Sequence, residues 1–233
     1  MPVLDASGRV VMVSGASRGI GRAVVERLVD GGYFVSAGVR DARGLAASDR
    51  LMLHRYDAES LPSAEAWIAA TINRFHRLDG LINAAGINPE ADLTDPDETA
   101  LDAMMLINVK APMRLIRLAL PHLAKGGEGR VINIASMSGK RVRNPNVGYA
   151  MSKFALVALT HAVRQYGWDH GIRATAICPS FVATDLTANV TKWPRENMSD
   201  PHDIAELITT VLRLPNSATI AELLVNCRLE DML

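Results

Sequence analysis

The sequence predicts an α/β protein, with a parallel sheet of about seven strands and helices on both faces of the sheet. The first observation behind this prediction is a series of short, nearly continuous apolar runs, which are typical of strands buried on both faces. The second is that longer segments with the apolar spacing of an amphipathic helix separate these runs. Strands that alternate with helices in this way form parallel sheets, because each helix returns the chain to the same edge of the sheet.

The elements follow one another in the order expected of this architecture. The predicted strands are residues 10–13, 34–39, 51–53, 81–82, 131–135, 174–177 and 220–225. The predicted helices are residues 21–30, 63–74, 98–123, 149–169 and 203–214. Paired glycines at residues 31–32 and 126–127 indicate turns between elements. Because no repeat, low-complexity tract or linker interrupts the alternation, we expect residues 1–233 to form a single domain.

Composition and charge narrow the classes of function. The 48% of hydrophobic residues suffice for a buried core, which excludes a disordered chain. The 25 basic residues balance the 25 acidic ones, so nucleic acid is not an expected partner. No apolar run reaches the ~18 residues that a membrane span requires, so a membrane partner is not expected either. The sequence therefore favours chemistry on a small molecule.

The N-terminal residues and the cysteines predict a cytoplasmic location. The first eight residues carry Asp5 and no apolar run, unlike a secretory signal. The two cysteines, Cys178 and Cys227, cannot form a disulfide framework and lie in apolar stretches. We therefore expect a reducing compartment, and no metal site is predicted.

The turn after the first predicted strand is rich in glycine and reads SGASRGIG over residues 14–21. Its three glycines allow a tight backbone turn and let a pyrophosphate approach the N-terminus of the following helix. A glycine-rich turn without a ligand is the alternative. The predicted cofactor contacts in this turn are Gly15, Ser17, Arg18, Gly19, Ile20 and Gly21.

Two further motifs accompany this turn, NAAG at residues 83–86 and YAMSK at residues 149–153. Together, the three motifs resemble those of the short-chain dehydrogenase/reductase family. The resemblance implies a Rossmann-type doubly wound fold, a nicotinamide cofactor, and the interconversion of an alcohol and a carbonyl by hydride transfer. It also implies a homodimer or a homotetramer.

The YAMSK motif carries the predicted acid/base chemistry. Tyr149 and Lys153 are four positions apart, so on a helix they project from one face. We expect the positive charges of Lys153 and of a nicotinamide ring to lower the phenol pKa of Tyr149 toward the working range. Tyr149 would then exchange a proton with the substrate oxygen. Taken alone, this spacing also fits a core tyrosine beside a solvated lysine.

Two more polar residues match catalytic positions of the family. Ser136, after the fifth predicted strand, is the predicted donor to the substrate oxygen, with Ser138 as the competing choice. Asn108, inside residues 98–123, is predicted to bind a water that relays protons from Lys153. Because asparagine is a poor helix former, Asn108 also fits a polar kink with a satisfied side chain.

The end of the second strand, AGVRD, bears on the choice of nicotinamide cofactor. An acid at this place accepts hydrogen bonds from the adenosine ribose of NAD, whereas an arginine suits the 2′-phosphate of NADP. Val39 occupies the place of the acid and Arg40 follows it, with Arg18 as a second cation. We therefore predict NADP. NAD is the alternative, because one residue of slippage would bring Asp41 to the ribose.

The resemblance to the family assigns the remaining predicted cofactor contacts. These are Asp57 after the third strand, Asn83, Ala84 and Gly86 after the fourth, and Pro179, Val182 and Thr184 after the sixth, together with Tyr149 and Lys153. Ser180 departs from the Pro-Gly pair that is usual in the family, so the backbone there is expected to differ.

The substrate side of the predicted site is rich in positive charge. Lys140, Arg141 and Arg143 crowd between Ser136 and Tyr149, and an arginine fork matches a carboxylate. Arg143 is the candidate clamp for an anionic substrate. The alternative is that all three cations point to solvent. We also expect residues 185–199 to cover the substrate.

Two other functions fit parts of the sequence. A dinucleotide-binding redox sensor would keep the fold without turnover, but it needs none of Ser136, Tyr149 and Lys153. A 3-oxoacyl-thioester reductase fits the core motifs, but the C-terminal residues 221–233 lack the glycine-rich ending of many family members. The predicted substrate is thus a small alcohol or carbonyl of unspecified identity.

Overall fold

A computed structural model describes residues 3–42 and 44–229. Within these residues, seven strands form one parallel sheet in the order β3-β2-β1-β4-β5-β6-β7. The strands are β1 (Val10–Ser14), β2 (Phe34–Val39), β3 (Leu51–Arg55), β4 (Gly80–Asn83), β5 (Arg130–Ile134), β6 (Arg173–Pro179) and β7 (Glu222–Val225). The predicted α/β fold with a doubly wound parallel sheet is confirmed. The predictions that involve residues 1–2 and 230–233 lie outside the described residues.

The described part of the chain contains six α-helices, and one of the predicted helices is wrong. The helices are α1 (Gly19–Asp30), α2 (Leu61–Phe75), α3 (Thr99–Met105), α4 (Ala111–Lys125), α5 (Val147–Gly167) and α6 (Pro201–Arg213). The predicted helix 98–123 is in fact α3 and α4, separated by a π-helical turn at Leu106–Lys110. Such turns are rare and occur frequently at functional sites. Asn108 lies at the centre of this one.

Alternate residues of the central strands pack into two hydrophobic layers, one on each face of the sheet. Val11 and Val13 of β1 pack with apolar residues of α1 and α6. Val10 and Met12 pack on the other face with Trp67 of α2 and residues of α4. This two-sided burial explains why the strands are continuous apolar runs in the sequence. In the described ranges, every helix falls short of the length or the apolarity needed to cross a membrane.

Successive strands are added to opposite sides of β1, so the strand order changes its direction of growth between β1 and β4 while all strands stay parallel. Strands β2 and β3 lie on one side of β1, whereas β4 to β7 lie on the other. The register pairs Ser14 with both Gly38 and Asn83, so the carboxyl ends of β1, β2 and β4 are nearly level. In open parallel sheets, ligands bind in the crevice outside the carboxyl ends of the strands at such a reversal.

Candidate active site

A cleft of about 910 Å³ lies outside the carboxyl ends of the strands. Its walls come from the segments that follow β1 to β6, and one residue beyond β7 joins them. Asn83 and Asn108 are predicted site residues that lie outside this lining. The predicted site residues that line the cleft are Gly15, Ser17, Arg18, Gly19, Ile20, Gly21, Arg40, Asp57, Ala84, Gly86, Ser136, Tyr149, Lys153, Pro179, Val182 and Thr184.

Two glycines of the turn between β1 and α1 stand where there is no room for a side chain. Gly15 has a φ of +67°, and a Cβ there would lie 2.6 Å from Ala85 N. A Cβ on Gly21 would overlap the carbonyl oxygen of Gly15. Helix α1 begins at Gly19 with no side-chain cap and no acidic residue in its first turn. Because the positive end of the helix has no anion of its own, the turn fits the pyrophosphate of a dinucleotide.

Ser136, Tyr149 and Lys153 meet at the carboxyl end of β5. The side chain of Ser136 is hydrogen-bonded to that of Tyr149. Lys153 lies one turn along α5, with Nζ 5.5 Å from the centroid of the Tyr149 ring. It is 5% exposed and donates a hydrogen bond of 2.9 Å to the carbonyl oxygen of Ile134. The three side chains therefore form one cluster in the wall of the cleft.

The geometry distinguishes between the two candidate serines. Ser136 caps the short 3-10 turn Met137–Gly139, and its Oγ accepts a hydrogen bond of 3.0 Å from Ser138 N. Ser138 also lines the cleft. However, Ser136 is the serine that contacts the Tyr149 hydroxyl. The structure therefore favours Ser136 as the partner of Tyr149.

Burial shifts the two titratable groups of the cluster in opposite directions. It raises the pKa of Tyr149 to about 12, which the hydrogen bond with Ser136 offsets only in part. It lowers the pKa of Lys153 to about 8. In the chain by itself the phenol pKa is thus raised, and the lowering expected when Lys153 acts together with a bound nicotinamide ring stays a prediction. The physical reason is that the loss of hydration disfavours the phenolate, while the ammonium is directed at the Ile134 carbonyl.

Asn108 is fully buried and holds the loop after β4 in place. Its Oδ1 accepts a hydrogen bond of 2.9 Å from Ile87 N, and its Nδ2 donates to Ile87 O at 2.9 Å and to Ser152 Oγ at 3.0 Å. A Cβ on Gly86 would lie 3.3 Å from Asn108 Oδ1 and 3.7 Å from Lys153 Nζ. The side chain thus behaves as the satisfied polar group of a helix distortion. Its predicted role in binding water stays a prediction.

Asn83 belongs to the sheet rather than to the wall of the cleft. It is 2% exposed, and its Nδ2 donates a hydrogen bond of 2.8 Å to Asn133 Oδ1. Asn133 Nδ2 donates in turn to Thr160 Oγ1 at 2.8 Å. This buried chain of hydrogen bonds links β4, β5 and α5. The Asn83 side chain therefore positions the end of β4, from which Ala84 and Gly86 reach the cleft.

The dinucleotide end of the cleft, after β1, β2 and β3, carries both signs of charge. Val39 is 6% exposed, whereas Arg40 is exposed beyond the end of β2 and lines the cleft with Asp41. Arg18 Nη1 lies 3.0 Å from Asp185 Oδ2, with both side chains at least 60% exposed. Such exposed pairs are weak. Arg18 and Arg40 therefore bring two guanidinium groups to this end of the cleft.

The three cations in the loop between Ser136 and Tyr149 have different surroundings. Lys140 Nζ lies 2.6 Å from Glu222 Oε2 at the start of β7, and Lys140 is outside the lining of the cleft. Arg141 and Arg143 line the cleft. The alternative in which all three cations point to solvent is therefore wrong for Lys140, whereas Arg141 and Arg143 line the cleft and Arg143 is exposed.

The lining also contains residues that were not singled out from the sequence, among them Phe181 and Arg228, while Lys192 was included only within residues 185–199. Arg228 is a cation shortly after the last predicted strand, which is a weak signal by itself. Only the position of β7 beside β6 brings it to the cleft. Residues 185–199 also cover the cleft in part, through Val190 and Lys192.

The arrangement provides three chemical regions in one cleft. The glycine turn and two guanidinium groups lie at the dinucleotide end, the phenol of Tyr149 lies beside Ser136 and Lys153, and cations with an aromatic ring come from the segments after β5, β6 and β7. Among residues 3–42 and 44–229, no three His, Cys, Asp or Glu side chains are grouped to hold a metal ion.

Comparison with known proteins supports this description. Residues 9–195 match the sequence profile described as short chain dehydrogenase. An agropine synthesis reductase from Rhizobium rhizogenes is 42% identical over 229 residues, which cover 96% of this chain and 53% of that protein. The chain thus spans about half the length of this curated relative. A dehydrogenase/reductase structure from Sinorhizobium meliloti 1021 is 28% identical, with a TM-score of 0.86 over 95% of this chain and 94% of that one.

Two other similar structures contain a nicotinamide dinucleotide. A short chain dehydrogenase from Burkholderia cenocepacia J2315 in complex with NADP is 24% identical, with a TM-score of 0.86 over 96% of this chain and 98% of that one. A 3-ketoacyl-(acyl-carrier-protein) reductase from Brucella melitensis complexed with NADH is 24% identical, with a TM-score of 0.85 over 95% and 98%. Together with the profile match over residues 9–195, the glycine turn and the seven-stranded sheet, these likenesses show that the chain belongs to the short-chain dehydrogenase/reductase family of oxidoreductases.

Proposed function

We propose that the chain interconverts an alcohol and a carbonyl on a small molecule, with NADP(H) as the preferred cofactor and Tyr149 as the acid and base. The observation that carries this proposal is the hydrogen bond between Ser136 and Tyr149 beside the buried Lys153. This cluster lines the same cleft as the glycine turn. A sensor of the dinucleotide would need the turn but not the cluster.

The side chains of the cluster act on the substrate oxygen. When bound, the nicotinamide supplies or accepts the hydride. The hydroxyls of Ser136 and Tyr149 hold the oxygen on which negative charge develops, and they stabilise that charge more than the ground state. Because the pKa of Tyr149 is about 12, the phenol carries its proton near neutral pH and can donate it to this oxygen. Lys153, with a pKa of about 8, is charged at neutral pH and stabilises the phenolate that remains.

We propose reduction of a carbonyl as the direction of the reaction. The phenol of Tyr149 serves as the acid in this direction, and its phenolate serves as the base in the reverse direction. The relative from Rhizobium rhizogenes is named as a reductase, which agrees with this direction. Because the chain spans about half of that protein, its substrate and its whole activity are not carried over.

Two arginine side chains, one after β1 and one after β2, support NADP as the preferred cofactor. Arg40 and Arg18 line the dinucleotide end, and an arginine fork binds phosphate at two points. Asp41 lines the same region and supports NAD as the alternative. One similar structure holds NADP and another holds NADH, so the preference depends on this chain's own residues.

Within this proposal, the predicted contacts have separate tasks. The glycine turn holds the pyrophosphate, and the residues after β3, β4 and β6 hold the rest of the dinucleotide. The latter are Asp57, Ala84, Gly86, Pro179, Val182 and Thr184, all of which line the cleft. Asn83 and Asn108 are positioning residues, since their side chains are bound within the protein.

We also propose that the chain acts as a homodimer or a homotetramer. Helices α4 and α5 expose large apolar side chains, with Met113 43%, Met151 49% and Phe154 42% exposed. Exposed apolar groups on neighbouring helices support self-association. The single-domain organisation and the cytoplasmic location stay predictions.

The test is the oxidation of NADPH by the purified chain with a panel of carbonyl compounds. Replacement of Tyr149 by Phe removes the proton donor, so turnover is expected to fall by a factor of about a hundred to ten thousand. NADPH affinity should change little. Tyr166→Phe, at a tyrosine that is 64% exposed, is the matched control. NADPH binding without turnover of any carbonyl or alcohol would overturn the enzyme proposal in favour of the sensor.

A further inference from the structure

Residues 136–140, which we call the serine turn, rest against the helix that carries Tyr149 and Lys153. Gly139 N donates a hydrogen bond of 2.8 Å to Ser136 O, and Ser138 N donates one of 3.0 Å to Ser136 Oγ. A Cβ on Gly139 would lie 2.7 Å from the carbonyl oxygen of Lys153, so the backbone of the turn packs closely on the backbone of α5. The position of the Ser136 hydroxyl therefore depends on the position of this turn.

Lys140, the last residue of the serine turn, forms an ion pair with the first residue of β7. Its N donates a hydrogen bond of 3.0 Å to Met137 O, and its Nζ lies 2.6 Å from Glu222 Oε2. The two side chains are 25% and 17% exposed, whereas those of the Arg18–Asp185 pair are at least 60% exposed. A pair that is largely withdrawn from water is screened little by salt, and the loss of one partner leaves the other charge without compensation.

The second carboxylate oxygen of Glu222 binds α5. His161 Nε2 lies 2.7 Å from Glu222 Oε1, and His161 is about two helical turns beyond Lys153. Burial acts to raise the pKa of the Glu222 carboxyl, but the hydrogen bonds from Lys140 and His161 outweigh it, so this pKa is lowered. The carboxylate is therefore charged at neutral pH and connects the serine turn to α5.

The place of Glu222 in the sheet distinguishes it from an ordinary charge on an edge strand. Strand β7 ends the strand order and pairs with β6, where Glu222 lies beside Ala176. Charged residues on edge strands commonly prevent pairing with another sheet, but that role requires no partner for the charge. Both partners of Glu222 belong to segments that carry the cluster of Ser136, Tyr149 and Lys153.

We infer that Glu222 is a positioning residue for the reaction, which holds the serine turn against α5 by binding Lys140 with one carboxylate oxygen and His161 with the other. This inference rests on the proposed function, in which Ser136 and Tyr149 hold the same substrate oxygen. Glu222, Lys140 and His161 lie outside the lining of the cleft, so they act through Ser136 rather than on the substrate. Because small displacements of such donors reduce the stabilisation of the transition state, their loss should lower kcat more than it weakens dinucleotide binding.

Steady-state kinetics of carbonyl reduction with NADPH test this role. Lys140→Met removes the ammonium and keeps most of the apolar stem, so kcat is expected to fall by about tenfold while the KM for NADPH changes by less than about twofold. Glu222→Gln should have the same effect. Lys140→Arg keeps the charge and should restore at least about half of the wild-type kcat.

The matched control is Glu206→Gln, which breaks an ion pair with Arg27 between α6 and α1, outside the lining of the cleft. Its kcat should equal that of the wild type. In the double variant Lys140→Met/Glu222→Gln, the loss of kcat should not exceed that of the more affected single variant, because both substitutions remove the same interaction. Wild-type kcat in Lys140→Met, an equal loss in Glu206→Gln, or additive losses in the double variant would reject the inference.

Amide hydrogen exchange, followed by NMR, separates failure of this inference from failure of the proposed function. The N–H groups of Ser138, Gly139 and Lys140 are bonded within the serine turn, so their protection reports on the turn without any substrate. In Lys140→Met and Glu222→Gln, these three amides should exchange about tenfold faster, whereas the amides of β1 should keep their wild-type rates. That result supports the positioning of the turn by Glu222 even if no carbonyl is reduced. Unchanged exchange in the turn, or faster exchange throughout the sheet, would overturn it even if kcat falls.

Discussion

The two ends of the cleft are built from different parts of the polypeptide. The glycine turn at the dinucleotide end presents mainly backbone, at glycines within residues 14–21 and at the N-terminus of α1. The substrate end, which is the part of the cleft lined from residues 141–143, 181–192 and 228, presents long charged and aromatic side chains. The glycine turn is continuous in sequence, whereas the substrate end is assembled from distant segments.

This difference predicts how each end responds to substitution. A backbone site has no spare volume, so an added methyl group collides with main-chain atoms and disturbs the fold together with the binding. A site made of side chains at the rim of a cleft can change without loss of the core. Substitutions in the glycine turn should therefore lower both stability and affinity, whereas substitutions of side chains that line the cleft should change specificity.

The largest effect is expected for Gly15→Ala. The new Cβ would lie 2.6 Å from Ala85 N, and the residue would keep a φ of +67°. Strain and overlap together should lower the free energy of unfolding by on the order of 3–5 kcal/mol and abolish NADPH binding. Gly127→Ala is the control, with a φ of +66° and no atom within 4 Å of the added Cβ. Urea unfolding and NADPH titration check both. Equal losses of stability and of NADPH affinity in the two variants would show that the collision with Ala85 is not the cause.

The next effect concerns the middle of the cleft, where the two ends meet. Ser136→Ala removes a hydroxyl that contacts Tyr149, so kcat should fall by about a hundredfold to a thousandfold. Ser138→Ala is the matched control and should retain most of the activity. Steady-state kinetics with one carbonyl substrate decide between the two serines. A greater loss in Ser138→Ala would show that the choice of Ser136 is wrong.

A pH effect on stability is expected from Lys153, whose pKa falls from 10.5 to about 8 on burial. Between these values the unfolded chain binds more protons than the folded one, so the free energy of unfolding should rise with pH. The free energy of unfolding of the wild type should therefore rise, relative to that of Lys153→Met, by up to about 3 kcal/mol across this window. Urea unfolding of both proteins at several pH values measures it. Parallel stability curves would show that the lysine is not perturbed.

The smallest effect is expected for Arg40→Asp, which should change the preference between NADPH and NADH. Arg40→Asp removes a cation that lines the cleft and adds a carboxylate that can accept ribose hydrogen bonds. The ratio of kcat/KM for NADPH to that for NADH should fall by about tenfold or more. Arg117→Asp, at an exposed residue of α4 outside the lining of the cleft, is the control for the same change of charge. If the wild type already prefers NADH, the interpretation of Arg40 is wrong.

Local sequence determined the parallel sheet and the position of the glycine turn. Strands buried on both faces must be apolar along their length. Their number and their positions along the chain are therefore visible as runs of apolar residues. The turn is visible because glycine alone permits the backbone of Gly15 and the approach at Gly21. The family motifs at residues 83–86 and 149–153 are equally local. These features depend on neighbouring residues, and one sequence therefore suffices to predict them.

Only the tertiary structure decided which side chains share the cleft and what their surroundings do to them. Loss of hydration around Tyr149 raises its phenol pKa in the chain by itself, whereas the sequence analysis expected a fall once a nicotinamide is bound. Lys140 turns away from the cleft because β7 offers Glu222, while β7 beside β6 brings Arg228 into it. Asn83 bonds within the sheet, and Asn108 interrupts a helix that appeared continuous in the sequence. Each outcome depends on groups far away in the chain, since hydration and pairing are set by what packs around a residue in space.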